Sequence, residues 1–192
     1  MAARTNSVDP RAERVRARLR DAAFALAHEQ PVDRLTVGDI VARAGVSRQV
    51  FYQHFRDRDD AVGFAFSAAF ASATADLAGD PGARILALFD FAAEHRAMYR
   101  NIVPSAVTQR VVIAFRAELA PACEEIAAAG MPAVSTVASL TPEAVSRFLV
   151  GGFMEVLRDW MEDQDATDLR GRVSGALDTV SALLGLSAAA TR

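Results

Sequence analysis

Three observations predict an all-α fold. Apolar residues recur three and four positions apart from Val15 to Leu184, and no segment shows the period-two alternation of a half-buried strand. Cap-and-proline pairs at Asp9-Pro10, Asp80-Pro81 and Thr141-Pro142 punctuate the chain where new helices should start. The expected architecture is about nine helices, divided into a three-helix head over residues 9–57 and a helical body over 58–186. Of the 192 residues, 52% are hydrophobic and 23% charged, a balance that supplies a substantial core and excludes disorder for most of the chain.

Residues 1–8 read as a flexible arm in which Arg4 is available to a phosphate. Asp9 caps the first helix, whose buried stripe is Val15, Leu19, Ala22, Ala23 and Leu26. The arginines Arg14, Arg16, Arg18 and Arg20 flank both sides of that stripe, so they form no single basic patch. The stretch Thr36 to Phe55 then reads as two short helices joined by a tight turn. Thr36 caps the first with Asp39 reaching back, Ala44-Gly45-Val46 turns the chain, and Ser47 caps the second. Gly45 suits a left-handed backbone position that a Cβ would penalise. The second helix turns Val50, Phe51 and Phe55 inward and leaves Arg48, Gln49, Tyr52, Gln53 and His54 outward with no acid among them, a face suited to phosphates and base edges.

At Ile40, Ala44-Gly45-Val46-Ser47, Phe51-Tyr52, His54-Phe55 and Arg58-Asp59 the sequence resembles the tetracycline-repressor (TetR) family of bacterial one-component regulators. Two positions depart from the family pattern: Gln30-Pro31 stands where a glycine is usual after the first helix, and Ala61 where leucine is usual early in the fourth. The resemblance implies a homodimeric regulator, most often a repressor in such families, that binds a palindromic operator and releases it when a small molecule enters the body. Tyr52 and His54 are the expected phosphate contacts, Arg48 and Gln49 the base readers, and Thr36 and Arg58 further phosphate contacts from neighbouring helix starts, with Ser47 at the head of the reading helix.

Asp57 opens a fourth helix expected to run to about Ala78, apolar on nearly all sides and therefore buried on most of them. It links the head directly to the body, so movement of its far end would reach the reading helix. Helices from Pro81 to about His95 and from Ala97 to Val103 follow, the second ended by Pro104. Pro121 is expected to kink or split the next helix near 116–120, and Gly130 to end it. The helix after Thr141 carries Val145, Phe148, Leu149, Gly152, Phe153, Val156, Leu157 and Trp160, and Asp165 or Thr167 is expected to cap the last, whose stripe includes Leu169, Val173, Leu177 and Val180. The resemblance implies that these two helices form a four-helix bundle with a second copy, through Phe153, Val156, Trp160, Val173, Leu177 and Val180; the alternative is a monomer that folds them onto the rest of its own body. A ligand cavity is expected between the fourth helix and those beginning at Pro81, Ser105 and Pro142. Its expected lining is Phe66, Phe70, Phe89, Met98, Phe115, Phe148 and Met154, with His95, Tyr99, Asn101 and Gln109 nearby as polar groups, which points to a mostly apolar effector; the alternative is that these large apolar side chains all pack a filled core.

Residues 1–60 hold 11 Arg and 9 acids, and residues 61–192 hold 10 and 15; the halves are +2 and −5, summing to the net −3. A small basic head on an acidic body fits a nucleic-acid partner. No lysine occurs, so every basic side chain is arginine. Cys123 is the only cysteine, which excludes an intrachain disulfide or cysteine-based metal cluster and fits a reducing cytoplasm. The polar, Arg-rich start lacks a signal-peptide core, and the uncharged runs 61–75 and 126–142 are too short or too broken to span a bilayer. No cofactor or metal is expected, because His28, His54 and His95 lie in different helices without ligand spacing, and no catalytic motif occurs. Glu155, Asp159, Glu162, Asp163 and Asp165 read as a solvated face rather than a cation site. An enzyme is thus the disfavoured class; the other alternative is a helical interaction module without small-molecule sensing, which would lack a salt-dependent DNA signal.

Overall fold

The computed structural model describes residues 9–103, 105–135 and 140–186. The N-terminal arm with Arg4, the helix stop at Pro104 and the tail beyond Leu186 lie outside the described residues. Among those described, every regular element is helical: α1 (Pro10–Glu29), a 3-10 turn (Val32–Arg34), α2 (Val37–Ala44), α3 (Arg48–Tyr52), α4 (Arg58–Thr74), α5 (Pro81–Glu94), α6 (Arg96–Ile102), α7 (Thr108–Val134), α8 (Pro142–Glu162) and α9 (Leu169–Leu183).

The helix starts are set by short-range capping. Asp9, Thr36, Ser47, Asp57, Asp80 and Thr141 each accept a backbone N–H of the first turn they precede, and in α2 the Asp39 carboxylate reciprocates by accepting the Thr36 N–H at 2.8 Å. Asp168, rather than Asp165 or Thr167, caps α9, its Oδ1 accepting the Gly171 N–H at 2.7 Å. The Gln30-Pro31 departure has a simple outcome. Gln30 ends α1 in extended conformation (φ −156°) and Pro31 feeds the 3-10 turn, so the chain leaves the helix without the left-handed residue that a glycine would supply.

Three helix ends differ from expectation. α4 stops at Thr74, four residues before Ala78, in a stretch of small side chains with little to bury. α7 runs unbroken through Pro121: both Pro121 and Ala117, whose carbonyl loses its donor, are exposed, so water can satisfy the orphaned oxygen. Gly130 does not end α7 but sits inside it at a close approach, where a Cβ would lie 2.8 Å from the Leu184 side chain.

One apolar core extends from Leu19 in α1 to Leu184 beyond α9. Its centre is aromatic. Phe66 stacks on Phe70 and Phe70 on Phe115, Phe89 meets Phe115 edge-on, and Phe91 and Tyr99 close the group from α5 and α6. Phe153, Trp160, Val173 and Leu177 belong to this same core, each at most 3% exposed. They pack within their own chain, whereas the expectation set them in a seam with a second copy. The outward edge of the α8 stripe is instead Phe148, 76% exposed.

Candidate nucleic-acid interface and the cavity behind it

The turn between α2 and α3 places α3. Gly45 sits at φ 63°, ψ 43°, and its carbonyl accepts a hydrogen bond from Arg18 of α1 at 3.3 Å. Phe51 and Phe55 anchor α3 from beneath, and Arg16 lies over the Phe64 ring at 4.2 Å beside them. Arg48, Gln49, Tyr52 and Gln53 face solvent as a continuous acid-free surface; Tyr52 is 59% exposed and meets only the edge of Phe51. Thr36 and Ser47 are exposed at the starts of α2 and α3, their hydroxyls accepting the Asp39 and Val50 N–H groups. His54 is half-buried beyond the end of α3, and its backbone N–H donates to the Phe51 carbonyl. The Arg48 guanidinium rests beside Gly38, 3.0 Å from where a Cβ would stand, so the glycine lets this arginine lie across α2.

Arg58 departs from its expected role. Its donors go to the Asp59 carboxylate and to the carbonyls of Asp33 and Leu35, at 2.8, 3.0 and 3.1 Å, which makes it a brace between α4 and the 3-10 turn rather than a free phosphate contact.

The body contains a cavity of about 610 Å³ walled by α6, α7 and α8. Of the expected lining, Tyr99, Phe115 and Met154 are there. Phe66, Phe70 and Phe89 are consumed by the aromatic core, Met98 is fully buried, and Phe148 points outward. Residue type does not distinguish a cavity wall from a filled core, and α4 and α5 contribute no wall at all. The lining missed in the sequence comprises Arg100, Ile102, Val103, Thr108, Val111, Val112, Arg116, Gly151, Leu157 and Met161 with the charged group Glu155, Arg158 and Glu162. The expected polar companions are otherwise engaged. His95 Nδ1 is 3.1 Å from His28 Nε2, and the Asn101 amide donates to the carbonyls of Ala27 and His28 at 2.9 and 3.1 Å. Gln109 is exposed outside the cavity. Tyr99 keeps a buried hydroxyl without a protein partner, an arrangement worth about 1–3 kcal/mol to relieve, and burial raises its pKa so that it stays a neutral phenol.

Cavity and head share walls. α6 with its C-cap Val103 lines the cavity through Tyr99, Arg100, Ile102 and Val103, and Asn101 of α6 with His95 at its N-cap makes the contacts to the end of α1. α7 lines it through Thr108, Val111 and Phe115, while its Arg110 pairs with Asp60 at the start of α4 at 3.3 Å, passing over Gly63, where a Cβ would lie 2.9 Å from the guanidinium. Along α8, Arg158 holds Glu155, Asp159 and Glu162, and just past its end Asp163 pairs with Arg172 of α9. Among the described residues no three His, Cys, Asp or Glu side chains gather closely enough to hold a metal ion, and no helix is long and apolar enough to cross a membrane.

Residues 19–61 match the family described as "Bacterial regulatory proteins, tetR family". Over these residues the chain is similar to the tetR family. Solved structures extend the likeness to the rest of the fold. The dihydroxyacetone kinase operon activator DhaS superposes with a TM-score of 0.67 at 15% identity, over 89% of this chain and 96% of that one. A putative transcriptional regulator from Pseudomonas aeruginosa PAO1 gives 0.59 at 20% identity, over 95% of each chain. A tetR-family transcriptional regulator from Streptomyces coelicolor gives 0.57 at 19% identity, over 90% and 86%. Among curated proteins no sequence matches significantly. The chain therefore shares its fold with these three structures well beyond the matched segment, over 89–95% of its length.

Proposed function

We propose that the protein is a ligand-responsive transcriptional repressor that binds a palindromic operator as a homodimer and releases it when a small, mostly apolar effector occupies the body. The head corresponds to residues 9–57 and the sensing and dimerising body to 58–186. The observation that carries the reading is the acid-free face of Arg48, Gln49 and Tyr52, presented by a helix whose start and turn are both fixed by the head's own caps and by Arg18. Arg48 and Gln49 read base edges, while Tyr52, His54, Thr36 and the Ser47 end of α3 hold phosphates; Arg58 orients α4.

The effector site in this reading is the α6–α7–α8 cavity, and its signal travels through the walls that also grip α1 and α4. A ligand releases DNA only by favouring a state in which those grips have shifted. The dimer seam moves outward from the expected positions, to Phe148, Gly152 and Val156 of α8 and Gly175, Val180 and Leu183 of α9. A Cβ at Gly152 or Gly175 would meet nothing within 4 Å, which leaves room for a second backbone.

Sequencing the DNA retained by the purified protein from a random pool tests this. An inverted repeat with half-site centres separated by one helical turn, about 34–36 Å, or a multiple is the expected product; a pool that stays unenriched sinks the reading. Because DhaS is an operon activator, a reporter placed under the recovered site separates repression from activation.

A further inference from the structure

Resting on the sensor reading above, we propose that the cavity between α6, α7 and α8 is selective for an amphipathic monoanion, an apolar body ended by a carboxylate. The apolar part of the wall is formed by Ile102, Val111, Phe115, Met154, Leu157 and Met161, and the volume of about 610 Å³ lies in the range of small-molecule sites. What selects the other end is which polar groups of the lining remain available. Thr108 spends its hydroxyl on the carbonyls of Ile102, Val103 and Ser105. Arg158 donates to both oxygens of Glu155 and to one of Glu162, so the two carboxylates of the wall are clamped by an arginine that is itself filled. Arg100 on α6 and Arg116 on α7 line the same cavity, are exposed, and have no ion-pair or hydrogen-bond partner among the described residues. Arg116 also borders a neighbouring cavity with Glu124, Glu143 and Arg147 without an ion pair to either acid.

The uncommitted groups that the lining exposes are therefore two guanidinium forks, both able to donate. Three arginines against two glutamates also leave the lining with a net positive charge, 3 − 2 = +1. A planar carboxylate matches a guanidinium fork bidentately, whereas a quaternary ammonium would find both wall acids already held. A purely neutral ligand would leave both arginines to water.

The test uses the full-length protein and three probes that share one apolar chain: octanoate, octanamide and octyltrimethylammonium, titrated calorimetrically. Octanoate is expected to bind at least ten-fold more tightly than either of the others. Arg100→Gln and Arg116→Gln should each weaken octanoate at least five-fold and leave octanamide unchanged. Met154→Trp or Gly151→Leu, the second adding its side chain to open space and so sparing the fold, should abolish binding of all three. If octanamide or the ammonium compound binds as tightly as octanoate, or if neither arginine variant changes the preference, the anion assignment is wrong while the cavity remains the sensor. If no probe binds, or the cavity-filling variants bind as well as wild type, both the anion assignment and the sensor reading fall.

Discussion

The side-chain amide of Asn101 donates to the carbonyl oxygen of Ala27 at 2.9 Å, joining the short helix that walls the cavity to the last turn of the first helix of the head. The same amide reaches the His28 carbonyl at 3.1 Å, so one residue of α6 satisfies two of the carbonyls that the end of α1 leaves without helical partners. Asn101→Ala should lower stability by about 1–2 kcal/mol through the lost bonds. If α6 is the route from cavity to head, it should also shrink the effector's influence on DNA affinity while leaving effector affinity nearly unchanged. Thermal melts and operator titrations with and without effector check both halves; full retention of the effector's influence would place the route elsewhere, with Arg110 and Asp60 the next contact to test.

Gly45→Ala adds a Cβ to a residue at φ 63°, where it also comes 2.8 Å from the Arg18 guanidinium. The left-handed conformation alone costs about 1–2 kcal/mol for a residue with a Cβ. The variant should melt earlier and hold α3 less firmly, reducing DNA affinity. Gly38→Ala provides the contrast. There the Cβ meets the flexible end of Arg48 at 3.0 Å and the capping Thr36 hydroxyl at 3.2 Å, without a left-handed backbone, so the stability loss should be smaller than at Gly45 while Arg48 is pushed from its resting place.

The two edges of the α8 stripe make opposite predictions. Leu177→Arg, or Phe153→Arg, buries an unpaired charge in the chain's own core and should unfold the protein or leave it insoluble, a loss of about 4–5 kcal/mol. Phe148→Arg or Leu183→Arg changes a side chain that is 76% or 70% exposed, and should give a folded monomer. Sedimentation with circular dichroism distinguishes these outcomes, and a Phe148→Arg dimer of wild-type strength would refute the outer seam.

His95 is held below its usual pKa by burial first and by the neighbouring His28 second, against an opposing pull from Glu94. Above the unfolded value of about 6.5 the imidazole is neutral in both states. As pH falls through that value toward the lower folded one, the unfolded chain takes the proton first, and stability is lost. His95→Gln should therefore flatten the decline in unfolding free energy between about pH 7.5 and 5.5, read by denaturant titration at each pH; an unaltered slope would contradict it. Cys123 behaves differently. It is fully buried and its thiol is pushed up to about 12, first by burial and then by Glu124, so alkylation near neutral pH should proceed only at the rate of unfolding.

What was legible in the sequence is what short-range chemistry decides. The Thr36–Asp39 box, the Asp57, Asp80 and Thr141 caps and the Gly45 turn each involve partners within a few residues, so spacing alone reveals them. The fate of Pro121 depended on which side of α7 faces water, a tertiary fact. Phe148 and Phe153 occupy one apolar stripe that is wider than the core can cover, and the pattern does not say which edge turns inward. Phe66, Phe70 and Phe89 read the same whether they wall a cavity or fill a core. Arg58 illustrates a further limit, because its partners, the Asp33 and Leu35 carbonyls, are more than twenty positions away and carry no side-chain signal.

Binding of variants to the recovered operator and to a scrambled duplex, followed by fluorescence anisotropy, tests the central claim most directly. Tyr52→Ala should weaken both duplexes alike, whereas Arg48→Ala and Gln49→Ala should each cost about 1–3 kcal/mol on the operator and little on the scrambled duplex, altering which base is preferred. Operator affinity unchanged in all three variants would contradict the assignment of α3 as the reading helix.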